Sequence, residues 1–501
     1  MLGAGIMGMS AFTASASTRN DVALRFDPTK GVKQTLTLPD GKTVNYLAYE
    51  HIYYVTNVED STYQFLNIYV PENIHPADHR TPIFLRTYVG GYMAASAMSP
   101  SETDATGRAL SEGYVVCIPG SRGWNSIITN SKGETIFTGR APAGLIDLKA
   151  AIRYLRFNDD LIPGNSEKII TDGTSAGGAM SALLGSTGNH PDYEPYLREA
   201  GAAEARDDVF AAICYCPIID LDHADMAYEW LYNCTNRENR ALSEEQIQVS
   251  DELADAYSSY LNSLNLKMED GTPLTDKNYL EYVKTFLIQS AQKARNEGYD
   301  MPANAGIVLN QRQMPGHNRP NNQDGNNRQA PSFGPQGNVQ FETGGEFVVD
   351  IKMDQYLNYV VSKQPLKTPP AFDQQGVLTK QPTPENSVFG DANGSSVNFT
   401  DYSLRKATGN PQATIDEQIQ KRVRIMNPMN YVADPQSVKA SYWYIRHGAC
   451  DRDTAFPVPI NFATLLKNKG YQVNFALPWN RPHTGDYNLD DLFSWIHSIT
   501  Q

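Results

Sequence analysis

The feature that most constrains the fold of this chain is a repeated alternation of short apolar runs with stretches of helical periodicity. Apolar runs at 82–89, 114–118 and 168–171 each end at glycine, proline or a short polar turn, as buried strands do. Before the third run, leucine and isoleucine recur from Leu145 to Leu155 at the spacing of one helix face. Strands that alternate with helices build a mostly parallel sheet flanked by helices, so we predict an α/β fold.

The alternation is interrupted after Asp220 and resumes only in the last part of the chain. Apolar runs at 442–445 and 471–477 predict two further strands there. Helical spacing predicts a helix at 459–469 and a final helix that begins near Leu489. The same strand-and-helix order therefore continues on the far side of a long interruption.

We predict that residues 25–220 and 437–501 form one α/β domain and that residues 221–436 are a large insertion of the lid type. Within the insertion, helical patterns cover 251–262 and 278–294. Residues 311–340 are rich in asparagine, glutamine, proline and glycine, which predicts a disordered loop.

The composition excludes several classes of function. The formal net charge is -14 and the pI is near 5.2, so neither nucleic acid nor an anionic membrane is expected as a partner. No run of about 18 apolar residues occurs, so no membrane-spanning helix is predicted. The five cysteines are sparse and odd in number, and CxxC and HExxH motifs are missing. We therefore expect no disulfide framework, no metal site and no cofactor.

The first 24 residues resemble a secretory signal or a flexible tail. An apolar stretch at 2–12 is followed by Ala14-Ser15-Ala16, as in a signal peptide with its cleavage site, but no basic residue precedes it. We expect an extracellular or cell-surface protein, with a cytoplasmic one as the alternative.

Ser175 lies in the stretch KIITDGTSAGGAM, where a short apolar strand leads into Gly-Thr-Ser-Ala-Gly and then into small residues. Glycines on both sides of a serine let a strand turn sharply into a helix and leave the hydroxyl exposed at the apex. The alternative is a plain glycine-rich loop. The preceding strand and the small residues that follow favour the turn, so we predict that Ser175 is a nucleophile.

A nucleophilic serine needs a base, because its free hydroxyl is a poor nucleophile at neutral pH. In α/β hydrolases the acid and then the histidine follow the serine along the chain, each after a strand. Among the nine histidines, His483 lies in the loop after the run at 471–477, where the base is expected. Asp451 and Asp453 both follow the run at 442–445, and spacing does not decide between them. We assign Asp451 as the acid that orients the imidazole.

Two backbone N–H groups should stabilise the oxyanion of the reaction. Ala176, directly after the serine, is expected to supply one of them. The turn Val89-Gly90-Gly91-Tyr92 follows an earlier predicted strand and is expected to supply the other from Gly91. The alternative for this turn is a tight connection without a catalytic role.

Three parts of the chain resemble bacterial tannases, which are α/β hydrolases that cleave esters of gallic acid. One is the serine turn, and another is the loop from His447 to Asp453 with its step of 32 residues from Asp451 to His483. The third is a pair of segments inside the insertion, Lys-Thr-Pro-Pro-Ala-Phe-Asp from Lys367 and Glu-Asn-Ser-Val-Phe-Gly from Glu385. The resemblance extends from about residue 25 to the C-terminus.

The resemblance implies a triad of Ser175, Asp451 and His483 that acts on galloyl esters through an acyl-enzyme. It also implies that Lys367, Glu385 and Asp453 bind the three phenolic hydroxyls of the galloyl ring. Phenols can donate hydrogen bonds to carboxylates and can accept them from an ammonium group. Without the resemblance, the lysine and the glutamate would be interpreted as surface charges beside prolines.

Other functions fit the same pattern. A feruloyl or general carboxylesterase would use the same three residues with a different insertion. A peptidase of the prolyl-oligopeptidase type is less favoured, because no repeated blade pattern precedes the α/β domain. A non-catalytic binding module of this fold would be expected to lack one of the three residues. The leaving group and the oligomeric state are left open by the sequence.

Overall fold

The structure, a computed structural model, describes residues 23–236, 240–310 and 347–501. The predicted signal segment at 1–24 lies almost entirely outside the described residues, and the predicted disordered loop at 311–340 lies entirely outside them. Both therefore stay predictions.

The strands of the described residues form one large sheet and two small hairpins. In chain order they are β1 (Val32–Thr37), β2 (Thr43–Tyr53), β3 (Phe65–Pro71), β4 (Pro82–Arg86), β5 (Val115–Pro119), β6 (Ile127–Thr129), β7 (Thr135–Phe137), β8 (Asn165–Thr174), β9 (Ala211–Tyr215), β10 (Ile307–Asn310), β11 (Phe347–Ile351), β12 (Tyr442–Arg446) and β13 (Gln472–Ala476). The large sheet has the order β1-β2-β3-β5-β4-β8-β9-β12-β13, and β6-β7 and β10-β11 are the hairpins. Pairing is antiparallel from β1 to β5 and parallel from β5 to β13.

The helices flank this sheet and fill the insertion. In chain order they are α1 (Ala105–Ser111), α2 (Ala143–Phe157), α3 (Ala176–Ser186), α4 (Glu194–Ala200), α5 (Leu221–Tyr232), α6 (Glu244–Ser263), α7 (Tyr279–Asn296), α8 (Met353–Lys363), α9 (Pro384–Val388), α10 (Asp401–Thr408), α11 (Glu417–Ile425), α12 (Met429–Val432), α13 (Pro457–Asn468) and α14 (Leu489–Thr500). None of the helices in the described ranges has the length and apolar character needed to span a bilayer.

Four parallel strands end in one row, and this row positions the site. Thr174 at the end of β8 lies beside Tyr215 of β9, which lies beside Arg446 of β12, which lies beside Ala476 of β13. The loops that follow β8, β9, β12 and β13 therefore leave the sheet at the same edge. This is the edge at which ligands bind in open α/β sheets.

Each face of the sheet carries its own apolar layer. On one face, residues such as Ile169 and Cys214 pack with Leu148 of α2 and Leu183 of α3. On the other face, buried side chains of the sheet, among them Phe84, Ile170, Ile213 and Tyr444, pack against α1 and against Leu492 and Phe493 of α14. Strands buried on both faces explain the continuous apolar runs in the sequence.

The predicted α/β fold with a mostly parallel, helix-flanked sheet is confirmed. The first two strands, β1 and β2, were not predicted. For β1 the reason is that it is an edge strand whose side chains are mostly exposed. The helix predicted at 251–262 begins earlier, at Glu244. Ser243 caps it by accepting a hydrogen bond from the Gln246 N–H, while the Gln246 side chain accepts one from the Ser243 N–H.

Residues 216–441 connect β9 to its neighbour β12 and contain α5 to α12. The two ends of this connection are tied together, since Asn427 Nδ2 donates to Asp220 Oδ1 at 2.8 Å. Its helices α6 and α7 pack on α13, where Asn461 donates to the Tyr257 hydroxyl at 2.9 Å and accepts from the Tyr279 hydroxyl at 2.5 Å. The domain boundaries proposed from the sequence stay predictions.

The contact of α3 with the sheet leads to a test of packing. A Cβ at Gly185 would lie 2.9 Å from Ala212 Cβ and would overlap the ring of Trp443. We expect Gly185→Ala to lower the free energy of unfolding by about 1–3 kcal/mol through overpacking. Urea denaturation would measure this change. Ser186→Ala is the matched control, because the buried Ser186 hydroxyl has no partner among the described residues and its loss should not destabilise the fold. Equal stability of the two variants would contradict the expectation.

Candidate active site

Ser175 lies at the turn between β8 and α3 in a backbone conformation that is strained for a residue with a side chain. Its φ is 63° and its ψ is -124°. Such a conformation costs of order 1–3 kcal/mol and persists only where the surroundings hold it. Here the Ser175 N–H donates to the Tyr215 carbonyl at 2.9 Å, and the Ser175 carbonyl accepts from Ala179 at 3.0 Å and from Ile218 at 3.3 Å. The sequence-predicted sharp turn is present.

Glycines make this turn possible because the backbone passes very close to other backbone. A Cβ at Gly173 would overlap the carbonyl of Gly177, and a Cβ at Gly178 would overlap the carbonyl of Tyr215. A Cβ at Gly177 would lie 2.9 Å from the Val89 carbonyl oxygen. The strand, the helix and the neighbouring loop can approach one another only without side chains at these positions.

His483 and Asp451 complete a continuous chain of hydrogen bonds with Ser175. His483 Nε2 lies 2.8 Å from Ser175 Oγ, and His483 Nδ1 lies 2.7 Å from Asp451 Oδ2. The three residues leave the sheet after β8, β12 and β13, whose ends share one row. The imidazole can therefore accept a proton from the serine on one side while its other nitrogen donates to the carboxylate.

The carboxylate that contacts the imidazole belongs to Asp451. Its side chain is fully buried and also accepts a hydrogen bond from the Asp453 N–H at 2.8 Å. The Asp453 side chain instead pairs with Arg452 at 3.0 Å and is a quarter exposed, at 26%. Spacing left these two aspartates as alternatives, and the geometry distinguishes them.

The charges of the three residues suit proton transfer. Burial alone would raise the pKa of Asp451, but the imidazole of His447, 3.4 Å away, and the hydrogen bond from His483 hold that pKa at about 2. Burial alone would lower the pKa of His483, but the hydrogen bond and the charge of Asp451 raise it above its usual value of 6.5. The aspartate is therefore ionised at neutral pH and stabilises an imidazolium.

The two predicted oxyanion donors come from the start of α3 and from the turn after β4. Ala176 is the first residue of α3, so its N–H has no partner inside the helix. Gly91 has φ +54°, and its carbonyl accepts from Trp124 Nε1 at 2.8 Å, which fixes the turn. Across the described part of the chain, no hydrogen bond is formed by the Gly91 N–H. The turn is held near α3, since the Val89 carbonyl lies against Gly177.

The predicted ring-binding residues come from three segments and influence one another electrostatically. Burial raises the pKa of Glu385, the charge of Lys367 opposes this change, and the charge of Asp453 adds to it. The charges of Asp453 and Lys367 also act on the pKa of His483. Lys367 Nζ lies 4.0 Å from the ring centre of Phe372. The Lys367 N–H and the Arg452 carbonyl both bond to the Tyr228 hydroxyl, so the segments that carry Lys367 and Asp453 lie next to each other.

An ion cluster under the histidine loop was not predicted. Arg86 of β4 bonds to Asp172 of β8, and its Nη2 donates to Asp486 Oδ2 at 2.8 Å. Burial raises the pKa of Asp172 to about 7 and also raises the pKa of Asp486. Asp486 lies three residues after His483, so the cluster holds the histidine loop to the sheet. The available signal was the presence of opposite charges, Arg86 at the end of an apolar strand and Asp172 directly after the buried run at 169–171.

Three groups of side chains in the described residues have metal-ligand atoms within 4.8 Å of one another. Two of them contain Asp451, whose oxygens already accept from His483 and the Asp453 N–H. In the third, Asp220 accepts from His223 at 2.8 Å and from the Tyr260 hydroxyl at 2.5 Å. Asp451 and Asp220 thus already accept hydrogen bonds within the protein.

The fold and the Ser-His-Asp arrangement define the class of the protein as an α/β hydrolase. A family model described as BD-FAE matches residues 66–262. Esterase LipC of Mycobacterium tuberculosis (strain ATCC 25618 / H37Rv) is 43% identical over 60 residues, a match that spans 12% of this chain and 15% of the length of LipC.

Comparison with solved structures identifies the family within this class. The tannin acyl hydrolase from Lactobacillus plantarum superposes with a TM-score of 0.80 at 36% identity, over 97% of this chain and 100% of that chain. The tannase of Fusobacterium nucleatum gives 0.79 at 35% identity, over 95% and 99% of the two chains. A tannin acyl hydrolase in complex with ethyl gallate gives 0.79 at 36% identity, over 95% and 99%. The chain therefore belongs to the tannase family of carboxylic ester hydrolases.

The pKa values of the imidazole and the carboxylate lead to a test by pH. Activity should fall as the pH drops through the pKa of His483, because the protonated imidazole cannot accept the serine proton. Since Asp451 raises that pKa, the acid limb of kcat/KM should lie above 6.5. Asp451→Asn should move the limb to lower pH and reduce kcat by about 10⁴-fold. Asp160→Asn, which removes an exposed carboxylate paired with Arg25, is the control. A limb that stays in place in Asp451→Asn would refute this assignment.

Proposed function

We propose that this protein hydrolyses galloyl esters to gallic acid and an alcohol by acyl transfer through Ser175. The observation that carries the proposal is the hydrogen-bonded chain from Ser175 through His483 to Asp451, placed beside the charged side chains of Lys367, Glu385 and Asp453. The first three residues supply the chemistry of ester cleavage, and the last three supply groups that match phenolic hydroxyls.

The reaction begins with attack of Ser175 Oγ on the ester carbonyl carbon. His483 Nε2 accepts the serine proton, and Asp451 stabilises the resulting imidazolium. The carbonyl electrons move to the oxygen, which is held by the N–H groups of Gly91 and Ala176. When the intermediate collapses, the bond to the alcohol oxygen breaks and the imidazolium protonates the departing alcohol. Water then repeats the sequence on the acyl-enzyme, which releases the acid and restores the serine.

Recognition of the ring uses the two carboxylates and the ammonium group. Phenolic hydroxyls donate to Glu385 and Asp453, and Lys367 donates to a phenolic oxygen. A ring without hydroxyls would leave these charges unpaired, so it should be rejected. The solved tannin acyl hydrolase in complex with ethyl gallate supports this choice of substrate.

Hydrolysis of a panel of methyl esters tests the proposal. We expect methyl gallate to be preferred over methyl benzoate by about 10⁴-fold in kcat/KM, because a site built to bind hydroxyls rejects the analogue that lacks them. Methyl ferulate should also be a poor substrate. Ser175→Ala should lose activity by about 10⁴-fold or more. Equal or better cleavage of the other esters, lost in the same variant, would leave a serine esterase of a different specificity. Activity that survives in Ser175→Ala would refute the proposed mechanism through Ser175.

Glu385→Gln tests ring recognition separately from chemistry. The amide keeps the size of the side chain but removes the charged acceptor, so kcat/KM for methyl gallate should fall by about 10- to 100-fold. Hydrolysis of 4-nitrophenyl acetate, whose acyl group has no ring, should not change. Glu269→Gln is the matched control, because Glu269 is another glutamate of the insertion but is half-exposed and paired with Lys467 at 2.9 Å. A parallel loss on both esters would argue against a role in ring binding.

A further inference from the structure

Helix α5 is connected by hydrogen bonds, directly or through one further residue, to every segment that supplies a proposed ring-binding residue. Asp225, Tyr228, Glu229 and Tyr232 follow one another at steps of three, one and three positions, so they lie on one face of the helix. All four are buried. The helix begins directly after the loop that follows β9, at the edge of the sheet where Ser175 lies.

The Tyr228 hydroxyl joins two of these segments. It accepts a hydrogen bond from the Lys367 N–H at 3.1 Å and donates one to the Arg452 carbonyl at 2.8 Å. Lys367 is in the insertion, and Arg452 directly precedes Asp453 in the loop after β12. One hydroxyl therefore fixes the distance between the backbone that carries the ammonium group and the backbone that carries a carboxylate.

The neighbouring residue Glu229 supports the same segment through Arg240. Arg240 Nη1 pairs with Glu229 at 2.7 Å, and Arg240 Nη2 donates to the Lys367 carbonyl. Lys367 is thus held at its N–H by Tyr228 and at its carbonyl by Arg240. Both polar groups of its backbone are therefore bonded to buried side chains.

Asp225 reaches the third segment through a second carboxylate. Its oxygens accept from the N–H groups of Phe372 at 2.7 Å and Asp373 at 3.0 Å. Asp373 in turn accepts from Asn386 Nδ2 at 2.7 Å. Asn386 is adjacent to Glu385 in the short helix α9, so the position of Glu385 also depends on α5.

The last turn of α5 contacts the acid loop. The Tyr232 hydroxyl donates to the carbonyl of Asp451 at 3.1 Å. The same helix therefore fixes the backbone of the residue that orients His483 and the segments that carry the ring-binding side chains.

We propose that Tyr228 is a positioning residue for substrate specificity: its hydroxyl sets the spacing between Lys367 and Asp453 so that both reach one polyhydroxylated ring. This inference rests on the proposed function, since it assigns a geometric requirement to that same site. Tyr228 does not touch the reacting atoms, and its effect reaches substrate only through the backbone of its two partners.

Tyr228→Phe tests the proposal, with Tyr193→Phe as the matched control. Both tyrosines are fully buried and both hydroxyls donate to a carbonyl of a distant segment; that of Tyr193 donates to the Ile425 carbonyl at 2.6 Å. In Tyr228→Phe, kcat/KM for methyl gallate should fall about tenfold, because two buried backbone groups lose their partner and the segments separate. Hydrolysis of 4-nitrophenyl acetate should be unchanged in the same variant. Tyr193→Phe should change neither ester.

Two outcomes would overturn the proposal. One is an equal loss on both esters in Tyr228→Phe, which would place the effect on the catalytic residues. The other is the same loss of methyl gallate hydrolysis in Tyr193→Phe, which would make it a general consequence of a missing buried hydroxyl. Asp225→Asn provides a second variant with the same expected selective loss, because an amide NH2 group, which donates, replaces one of the two carboxylate oxygens that accept from Phe372 and Asp373.

Hydrogen exchange separates this inference from the proposed function. The Lys367 N–H should exchange faster in Tyr228→Phe than in the wild type or in Tyr193→Phe, since its acceptor is removed. Wild-type protein that shows no preference for methyl gallate would refute the proposed function, while faster exchange at Lys367 would still show that Tyr228 holds this segment. Unchanged exchange at Lys367 would refute the positioning role whatever the substrate.

Discussion

Below Ser175 the backbone of β8 passes so close to that of α3 that a side chain at Gly173 would overlap the carbonyl of Gly177. This contact holds the serine in its strained conformation, and the hydrogen bond from its N–H to Tyr215 secures the turn to the neighbouring strand. The hydroxyl therefore projects beyond the edge of the sheet, where His483 Nε2 lies 2.8 Å away. The other residues of the proposed site can act only because the serine hydroxyl is held in this position.

The site divides into a part supplied by the sheet and a part supplied by the insertion. The ends of the parallel strands bring the loops of Ser175, Asp451 and His483 together, since these strands finish in one row. The insertion brings Lys367 and Glu385 to the same edge and is attached there by α5. In the proposed function, the residues of ester cleavage all follow strands of the sheet, whereas two of the three ring-binding residues come from the insertion, and the hydrogen bonds of α5 connect the two groups.

The parts of this structure that depend on local sequence were predictable. Buried strands appear as apolar runs, the glycines reveal the turn at Ser175, and the order of the loops singles out His483. The choice between Asp451 and Asp453 was not predictable, because both lie in one loop and only tertiary packing decides which side chain faces the imidazole. The edge strand β1 has no apolar run. The two hydrogen-bond partners of Tyr228 on α5 lie 139 and 224 positions away along the chain, and a single sequence does not reveal such contacts.

The ion cluster of Arg86, Asp172 and Asp486 limits which single substitutions this protein can accept. Asp486 would be classed with variable loop residues by its position, yet it is bound to an arginine 400 positions earlier that also binds Asp172, three positions before Ser175. Replacement of one member alone leaves a charge buried without its partner. We therefore expect the three residues to be exchanged together or kept together.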